Sequence, residues 1–295
     1  MNLLITGAWT DAKEYIASIE KMGHQVVFLQ QEKEKLPCTY EWVEGVICNG
    51  LFLHHPISKF INLKYIQLTS AGYDRVPIDE VERREIEIHN ARGVYSIPMA
   101  EFAIAGVLDL YKEMGRFREQ QERHEWIKNR SIRELAGSKV VIVGCGSVGT
   151  ECAKRFKVFD CEVIGLDVVG RADPWFDKIV KIEMIDTVLP EADVVVLTVP
   201  LMDETRALID QRRLGLIKGI LVNISRGGVV DQEALEAWEG VAVLDVFEKE
   251  PLEENSPLWV KKNTIITPHN SFVGDGNRRR MKQVIFANLT KVVAE

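Results

Sequence analysis

No apolar run in the 295-residue sequence reaches the ~18–20 residues that a membrane-spanning helix requires. The opening Met1-Asn-Leu-Leu-Ile-Thr6 reads as a strand and carries neither a basic region nor a cleavage site, so no targeting segment is expected. A basic surplus is also missing: 37 Lys and Arg face 44 Asp and Glu, for a net charge of −7. A main partner made of nucleic acid would call for the opposite balance. The 5 cysteines (Cys38, Cys48, Cys145, Cys152 and Cys161) are odd in number and hold no C-x-x-C pair. A disulfide scaffold and a zinc site are both disfavoured, and reduced thiols in the cytoplasm are expected. Without H-x-x-x-H or mixed Cys/His spacing, no metal site is expected either. His24, His54, His55, His89 and His124 have no chemistry-bearing neighbours in sequence, and His54-His55 reads as a solvated pair in a loop.

What is present fits a globular protein. Apolar residues make up 46% and charged residues 27% of a chain long enough for two domains. Strands are predicted at Met1–Thr6, Gln25–Leu29, Gly45–Cys48, Tyr65–Leu68 and Ile86–Ile88. A helix is predicted over Asp11–Met22, stopped by Gly23, and a short one near Pro56. Strands alternating with helices imply a doubly wound parallel sheet up to about residue 95. Apolar residues at helical spacing predict one long helix from Met99 to about Arg123, leading through Trp126 to a small-residue joint at Ala136-Gly137. This stretch reads as a connector between two domains with a cleft beside it. The α/β pattern then resumes, with strands at Lys139–Val143, Glu162–Leu166, Val194–Thr198, Ile220–Asn223, from Val241 to Leu244 or Asp245, and Thr264–Thr267.

The first strand of that second half runs into Gly144-Cys145-Gly146-Ser147-Val148-Gly149. Gly144 permits a tight strand-to-helix turn, Gly146 lets the backbone approach a pyrophosphate, and Gly149 lets helix and strand touch. N–H groups near Ser147 and Val148 would face the phosphates at the positive end of a helix. The next strand ends in Asp167, close to the ~20-residue spacing at which an acid meets a ribose 2′-hydroxyl. That acid favours NAD over NADP, although Arg171 lies four residues on as a partner for a 2′-phosphate. Cys145 reads as a small residue that fits the turn. The first sheet has no such fingerprint.

In doubly wound sheets ligands gather at the carboxyl ends of strands. Three strand ends here carry chemistry. After Ile220–Asn223 comes Ile224-Ser225-Arg226-Gly227-Gly228, where a planar guanidinium could hold a carboxylate and the glycines leave room for substrate. After Leu244 comes Asp245-Val-Phe-Glu248-Lys-Glu250-Pro251, and after the last strand Thr267-Pro268-His269-Asn270. An anion anchor, a carboxylate and a histidine on one sheet edge suit hydride transfer at C2 of a 2-oxo or 2-hydroxy acid. Arg226 would bind the carboxylate, and His269 would protonate the carbonyl oxygen, with a neighbouring acid, Glu248 or Glu250, stabilising its imidazolium.

These motifs together resemble the NAD-dependent D-isomer-specific 2-hydroxyacid dehydrogenases. The resemblance runs from Ser70-Ala-Gly-Tyr-Asp74 and Met99-Ala-Glu-Phe102 through the glycine loop, Pro200-Leu201, Asn223-Ile-Ser-Arg-Gly-Gly228 and Leu244-Asp-Val-Phe-Glu-Lys-Glu-Pro251 to Thr267-Pro-His269. It implies a Rossmann cofactor domain over residues 98–274 and a smaller flavodoxin-like substrate domain over 1–97 that takes back 275–295. It also selects Glu250 as the partner of His269 and places Asp245 against the nicotinamide carboxamide. Val199, Pro200, Ile224 and Ser225 would line the cofactor, and backbone groups of Ser70, Ala71 and Gly72 would meet the substrate carboxylate. The resemblance further implies closure of the two domains on substrate and a homodimer held by the cofactor domain. Compared with that family, Asp231–Val241 looks about five residues short, and Asn49-Gly-Leu-Phe-Leu-His54 replaces a basic-hydroxyl loop. With no regulatory domain expected beyond residue 295, a 3-phosphoglycerate substrate is disfavoured, though Arg75 and the two histidines leave it open. Glu250 also argues against formate dehydrogenase, where the histidine partner is glutamine. A corepressor-like NAD sensor is the remaining alternative, but no extra peptide-binding segment is evident.

Overall fold

Two doubly wound sheets form the architecture, every strand parallel to its neighbours, as the alternating strand and helix pattern predicts. The structure is a computed structural model that describes residues 1–294. The chain divides into a first unit, residues 1–95 with 274 onward, and a second unit, Ser96–Val273. Glu295, the end of the segment expected to return to the first domain, lies outside the described residues.

In the first unit β1 (Asn2–Thr6), β2 (Gln25–Leu29), β3 (Gly45–Cys48), β4 (Tyr65–Leu68) and β5 (Glu87–His89) are ordered β2-β1-β3-β4-β5. Side chains alternate between its faces. Leu3, Ile5, Ile47 and Tyr65 pack on one side, Leu4, Val46, Ile66 and Leu68 on the other. Helix α1 (Ala12–Glu20) ends where Gly23, at φ 90°, makes the left-handed turn into β2. Helix α2 (Ile78–Arg83) covers the second face through Val81. The C-terminal helix (Asn277–Ala294) buries Met281, Ile285 and Leu289, four residues apart on one stripe, against the first face. Arg280 donates to the Val94 carbonyl at 2.6 Å and Asn288 to Gln67 at 2.8 Å, fastening it there.

The second unit begins with α3 (Ser96–Tyr111) and α4 (Met114–Glu122) where one helix was expected. Glu113 between them sits at φ 49°, which ends the first helix. The physical reason is a change in what the helix covers. Helix α3 buries Ala100, Ala103, Val107 and Tyr111, whereas α4 is mostly polar and buries only Gln120. The sheet follows: β6 (Lys139–Val143), α5 (Ser147–Val158), β7 (Glu162–Asp167), β8 (Lys178–Lys181), α6 (Ile185–Val188), β9 (Val194–Leu197), α7 (Gln211–Leu216), β10 (Ile220–Asn223), α8 (Gln232–Ala237), β11 (Val241–Leu244) and β12 (Thr264–Ile266). Strand β8 was not anticipated, and β5 lies one residue later than predicted. The order β12-β11-β10-β9-β6-β7-β8 reverses between β6 and β9. Val140, Ile142, Val196 and Val222 pack against α3 and α5, and Val141, Val143, Val195 and Leu221 pack on the opposite face. Strands buried on both faces need the uninterrupted apolar runs that made them legible. No helix among the described residues is long and apolar enough to cross a membrane.

Candidate functional site

The reversal between β6 and β9 puts the glycine loop at the switch point of the second sheet, where a dinucleotide would bind. Gly144 has φ 96°, and a Cβ there would lie 2.9 Å from Val199 Cγ1 and 3.0 Å from Val199 N. A Cβ on Gly149 would lie 2.0 Å from the Gly144 carbonyl oxygen. Both positions therefore admit only glycine. Gly146 faces open space and precedes α5, a 12-residue helix with no side-chain cap, whose first N–H groups belong to Ser147 and Val148. Unhindered backbone at a helix N-terminus suits a pyrophosphate, so the residues present fit the dinucleotide.

Asp167 closes this end. Its carboxylate accepts from Cys145 N at 3.0 Å and Val168 N at 2.8 Å, and Arg171 Nη1 lies 3.6 Å from it. Arg171 also donates to the Cys145 carbonyl. Arginine and aspartate thus sit together, and the acid partly neutralises the guanidinium beside it. Burial pushes the Cys145 thiol up to about 12, with the Asp167 charge adding to it, so the sulfur is an inert filler against Gly165. Thr198, overlooked in the sequence, donates its hydroxyl to the Gly144 carbonyl at 2.6 Å and fixes the loop to β9.

The second group of residues follows β10, β11 and β12, three adjacent strands. His269 Nδ1 donates to Glu250 Oε2 at 2.7 Å; a carboxylate only accepts, so the proton sits on Nδ1 and Nε2 is left for a ligand. Glu250 Oε1 accepts in turn from Phe247 N at 3.1 Å. Glu248 takes no part in this pair and donates its own N–H to Gln232. His269 holds φ 50°, a left-handed conformation costing a non-glycine residue roughly 1–2 kcal/mol. Its N–H donates to the Asp245 carbonyl at 2.8 Å, and its ring meets Phe272 edge-on at 5.8 Å.

Asp245 is fully buried. Its carboxylate accepts from the Thr267 hydroxyl at 2.6 Å, Asn270 N at 2.8 Å and Ser271 N at 2.9 Å. Whatever else it touches, it clamps the loop that presents His269. Arg226 leaves β10 in extended backbone, and its Nη1 donates to the Ser225 carbonyl at 2.8 Å. Buried Asn223 donates to the Arg226 carbonyl and accepts from Ser225, so this strand-end asparagine sets the arginine's backbone. The glycines after Arg226 do not leave room for substrate, contrary to expectation. A Cβ on Gly227 would fall 1.9 Å from the Phe247 carbonyl carbon, and one on Gly228 3.3 Å from Leu201. Close backbone packing against the loop that carries Glu250 is what Gly227 serves. Of the residues expected to line the cofactor, Val199 is half-buried and Pro200 exposed. Ile224 and Ser225 are buried, and the Ile224 side chain packs in the core.

In the first unit, Ser70, Ala71 and Gly72 follow β4. Ser70 Oγ donates to the Gly72 carbonyl at 2.9 Å and Asn90 to the Ala71 carbonyl at 2.7 Å. The expected solvated pair is split: His54 is exposed, while His55 is buried with Nδ1 3.0 Å from the Tyr40 hydroxyl.

Comparison with known proteins bears on this arrangement. The sequence model described as "D-isomer specific 2-hydroxyacid dehydrogenase, NAD binding domain" matches residues 104–271. The chain belongs to the D-isomer specific 2-hydroxyacid dehydrogenases. A glyoxylate reductase of Thermofilum pendens is 34% identical over 248 residues, covering 79% of this chain and 72% of the relative. A family member from Xanthobacter autotrophicus Py2, solved with NADPH and MES, superposes with a TM-score of 0.81 at 25% identity, covering 99% of this chain and 95% of its own. D-lactate dehydrogenase of Aquifex aeolicus, solved with NAD and lactic acid, superposes at 0.79 and 25% identity, covering 99% and 96%. This D-2-hydroxyacid dehydrogenase is therefore an oxidoreductase whose Rossmann unit binds a nicotinamide dinucleotide for hydride exchange with a 2-hydroxy or 2-oxo acid.

Proposed function

We propose that the enzyme reduces a small 2-oxo acid with NADH, using Arg226 to anchor the substrate carboxylate and His269 as the proton donor. The observation that carries this reading is the 2.7 Å bond from His269 Nδ1 to Glu250, which leaves Nε2 as the working nitrogen of a ring already fixed in its loop. Gly144, Gly146, Ser147, Val148 and Gly149 would hold the pyrophosphate, Asp167 the adenosine ribose, and Val199 and Pro200 the approach to the ring. Asp245, whose carboxylate already takes three protein donors, would accept from the nicotinamide carboxamide. When bound, the nicotinamide supplies or accepts the hydride at C2.

The protein's part is positioning and proton transfer. The Arg226 fork pairs with the carboxylate bidentately, which fixes the rotation of the carbonyl and favours negative charge developing on its oxygen. His269, protonated, delivers a proton from Nε2 to that oxygen; in the reverse direction the neutral ring removes it. Glu250 stabilises the imidazolium and prevents the ring from turning. Ser70, Ala71 and Gly72 of the first unit contribute backbone N–H groups to the substrate carboxylate. Family membership supports a homodimer built through the cofactor unit, and five cysteines outside any disulfide support a cytoplasmic enzyme.

Mixing the purified protein with NADH and a panel containing glyoxylate, hydroxypyruvate, pyruvate and a branched 2-oxo acid tests the reading. Loss of NADH absorbance with at least one small acid is expected. Tight NADH binding with no turnover of any acid would favour the sensor alternative.

A further inference from the structure

The first unit has a switch point of its own. In the order β2-β1-β3-β4-β5 the chain reverses direction between β1 and β3, and ligands of such sheets lodge beyond the carboxyl ends of those two strands. The residues there are Thr6, ending β1, and Asn49-Gly50, following β3. Two successive N–H groups at a strand end are natural donors to an anion. Here they are already taken. Half-buried Glu32 reaches over from beyond β2 and accepts from Asn49 N at 2.7 Å, Gly50 N at 2.6 Å and the Thr6 hydroxyl at 2.8 Å.

We infer that Glu32 is a specificity-determining residue that fills this switch point with negative charge and restricts the enzyme to 2-oxo acids lacking a second anionic group. The inference rests on the proposed reading, in which the first unit holds part of the substrate. The amides that could cradle a phosphate tail are spent on a carboxylate, and any phosphate arriving there meets a like charge at short range. Arg75 offers the opposing influence: a Cβ on Gly50 would lie 3.6 Å from its Cδ and 3.3 Å from Glu32 Oε2. With Glu32 present the amides are shut to anions; with it removed, the amides and the arginine together become an anion site.

The test compares hydroxypyruvate with its 3-phosphate, which differ only in that group. Wild-type kcat/KM should favour the unphosphorylated acid by about 100-fold or more, and Glu32→Ala should narrow the ratio by at least about tenfold, the effect of removing one like charge a few ångströms away. Adding Arg75→Ala to Glu32→Ala should reverse most of that gain. Equal use of both acids by the wild type would overturn the inference, as would a folded Glu32→Ala enzyme with an unchanged ratio. Should that variant fail to fold, Glu32→Gln serves as the neutral replacement, and the wild-type ratio decides if neither variant folds. Binding of inorganic phosphate with NAD⁺ saturating, read from ³¹P line broadening, needs no turnover: the alanine variant should bind it and the wild type should not, and identical behaviour of the two counts against the role of Glu32. Failure of the parent reading looks different, since the wild type would then reduce no acid of the panel, glyoxylate and pyruvate included.

Discussion

Replacing Glu250 by glutamine changes one atom type in the pair that carries the chemistry. The wild-type bond from His269 Nδ1 to Glu250 Oε2 is 2.7 Å long, and both side chains are more than a third exposed, 38% and 36%. At that exposure the surrounding water screens the pair, and the interaction is best set by a charge-assisted hydrogen bond, about 1.5–3 kcal/mol. Glutamine can still accept from Phe247 N through its amide oxygen, so the loop keeps its anchor. What is lost is the negative charge that favours the imidazolium. At 1.36 kcal/mol per tenfold in rate, kcat for 2-oxo acid reduction should fall by about 10- to 150-fold. NADH affinity should stay within about twofold, because Glu250 touches nothing at the glycine loop in the bonds it makes. Stopped-flow single turnovers and NADH fluorescence titration measure the two quantities separately. Glu248→Gln is the internal control, since Glu248 is exposed and outside the pair. The reasoning is refuted if Glu250→Gln turns over at the wild-type rate, or if Glu248→Gln is the more damaged enzyme.

Other expectations follow from the same geometry. Asp167→Ala removes the acid facing Arg171 and should raise the kcat/KM ratio of NADPH to NADH by at least about tenfold, since the guanidinium then dominates that end of the loop; an unchanged ratio would remove Asp167 from cofactor choice. Gly149→Ala forces a Cβ to within 2.0 Å of a backbone oxygen and should destabilise the fold by about 1–3 kcal/mol in urea titration while weakening NADH, whereas wild-type stability would contradict the packing described. The thiols of Cys145 and Cys152 are pushed up to about 12 and that of Cys161 to about 11, chiefly by burial, and buried Cys48 is raised as well. A raised value means less thiolate at mildly alkaline pH, so a thiol reagent should reach half-buried Cys38 slowly and the other four only on unfolding; rapid labelling of two or more sites in the native protein would contradict this. His24 is buried beside the N-terminal ammonium, and burial depresses its protonation in the fold. The unfolded chain then binds that proton more readily, so stability should fall as pH drops through the ordinary histidine value of 6.5, and less so in His24→Gln.

The glycine loop was legible in sequence because its requirements are steric and local. Gly144 and Gly149 meet backbone within a few residues of themselves or on the adjacent strand, and no other residue fits. Arg226, Glu250 and His269 could be found because each follows a short, mostly apolar strand of the second sheet. What lay between them could not. The clamp on Asp245 comes from Thr267, Asn270 and Ser271, more than twenty positions along, and the role of Gly227 depends on the peptide after Phe247. Glu32 is a similar case: nothing in its own neighbourhood marks it, since its partners are Thr6, Asn49 and Gly50. The break at Glu113 escaped notice because no proline or glycine sits there, and the cause is the loss of an apolar face after Tyr111. Strand β8 is a four-residue sheet edge with lysine at both ends, too short and too polar to announce itself.

The most direct measurement is the rate at which bound NADH is oxidised in a single turnover by His269→Ala with a small 2-oxo acid that the wild type reduces. General acid catalysis by this ring accounts for roughly 10²–10⁴ in rate, so the hydride step should slow by that factor while the NADH dissociation constant stays within about twofold. A variant that keeps the wild-type rate, or one that loses cofactor affinity in the same proportion, would show that the proton comes from elsewhere.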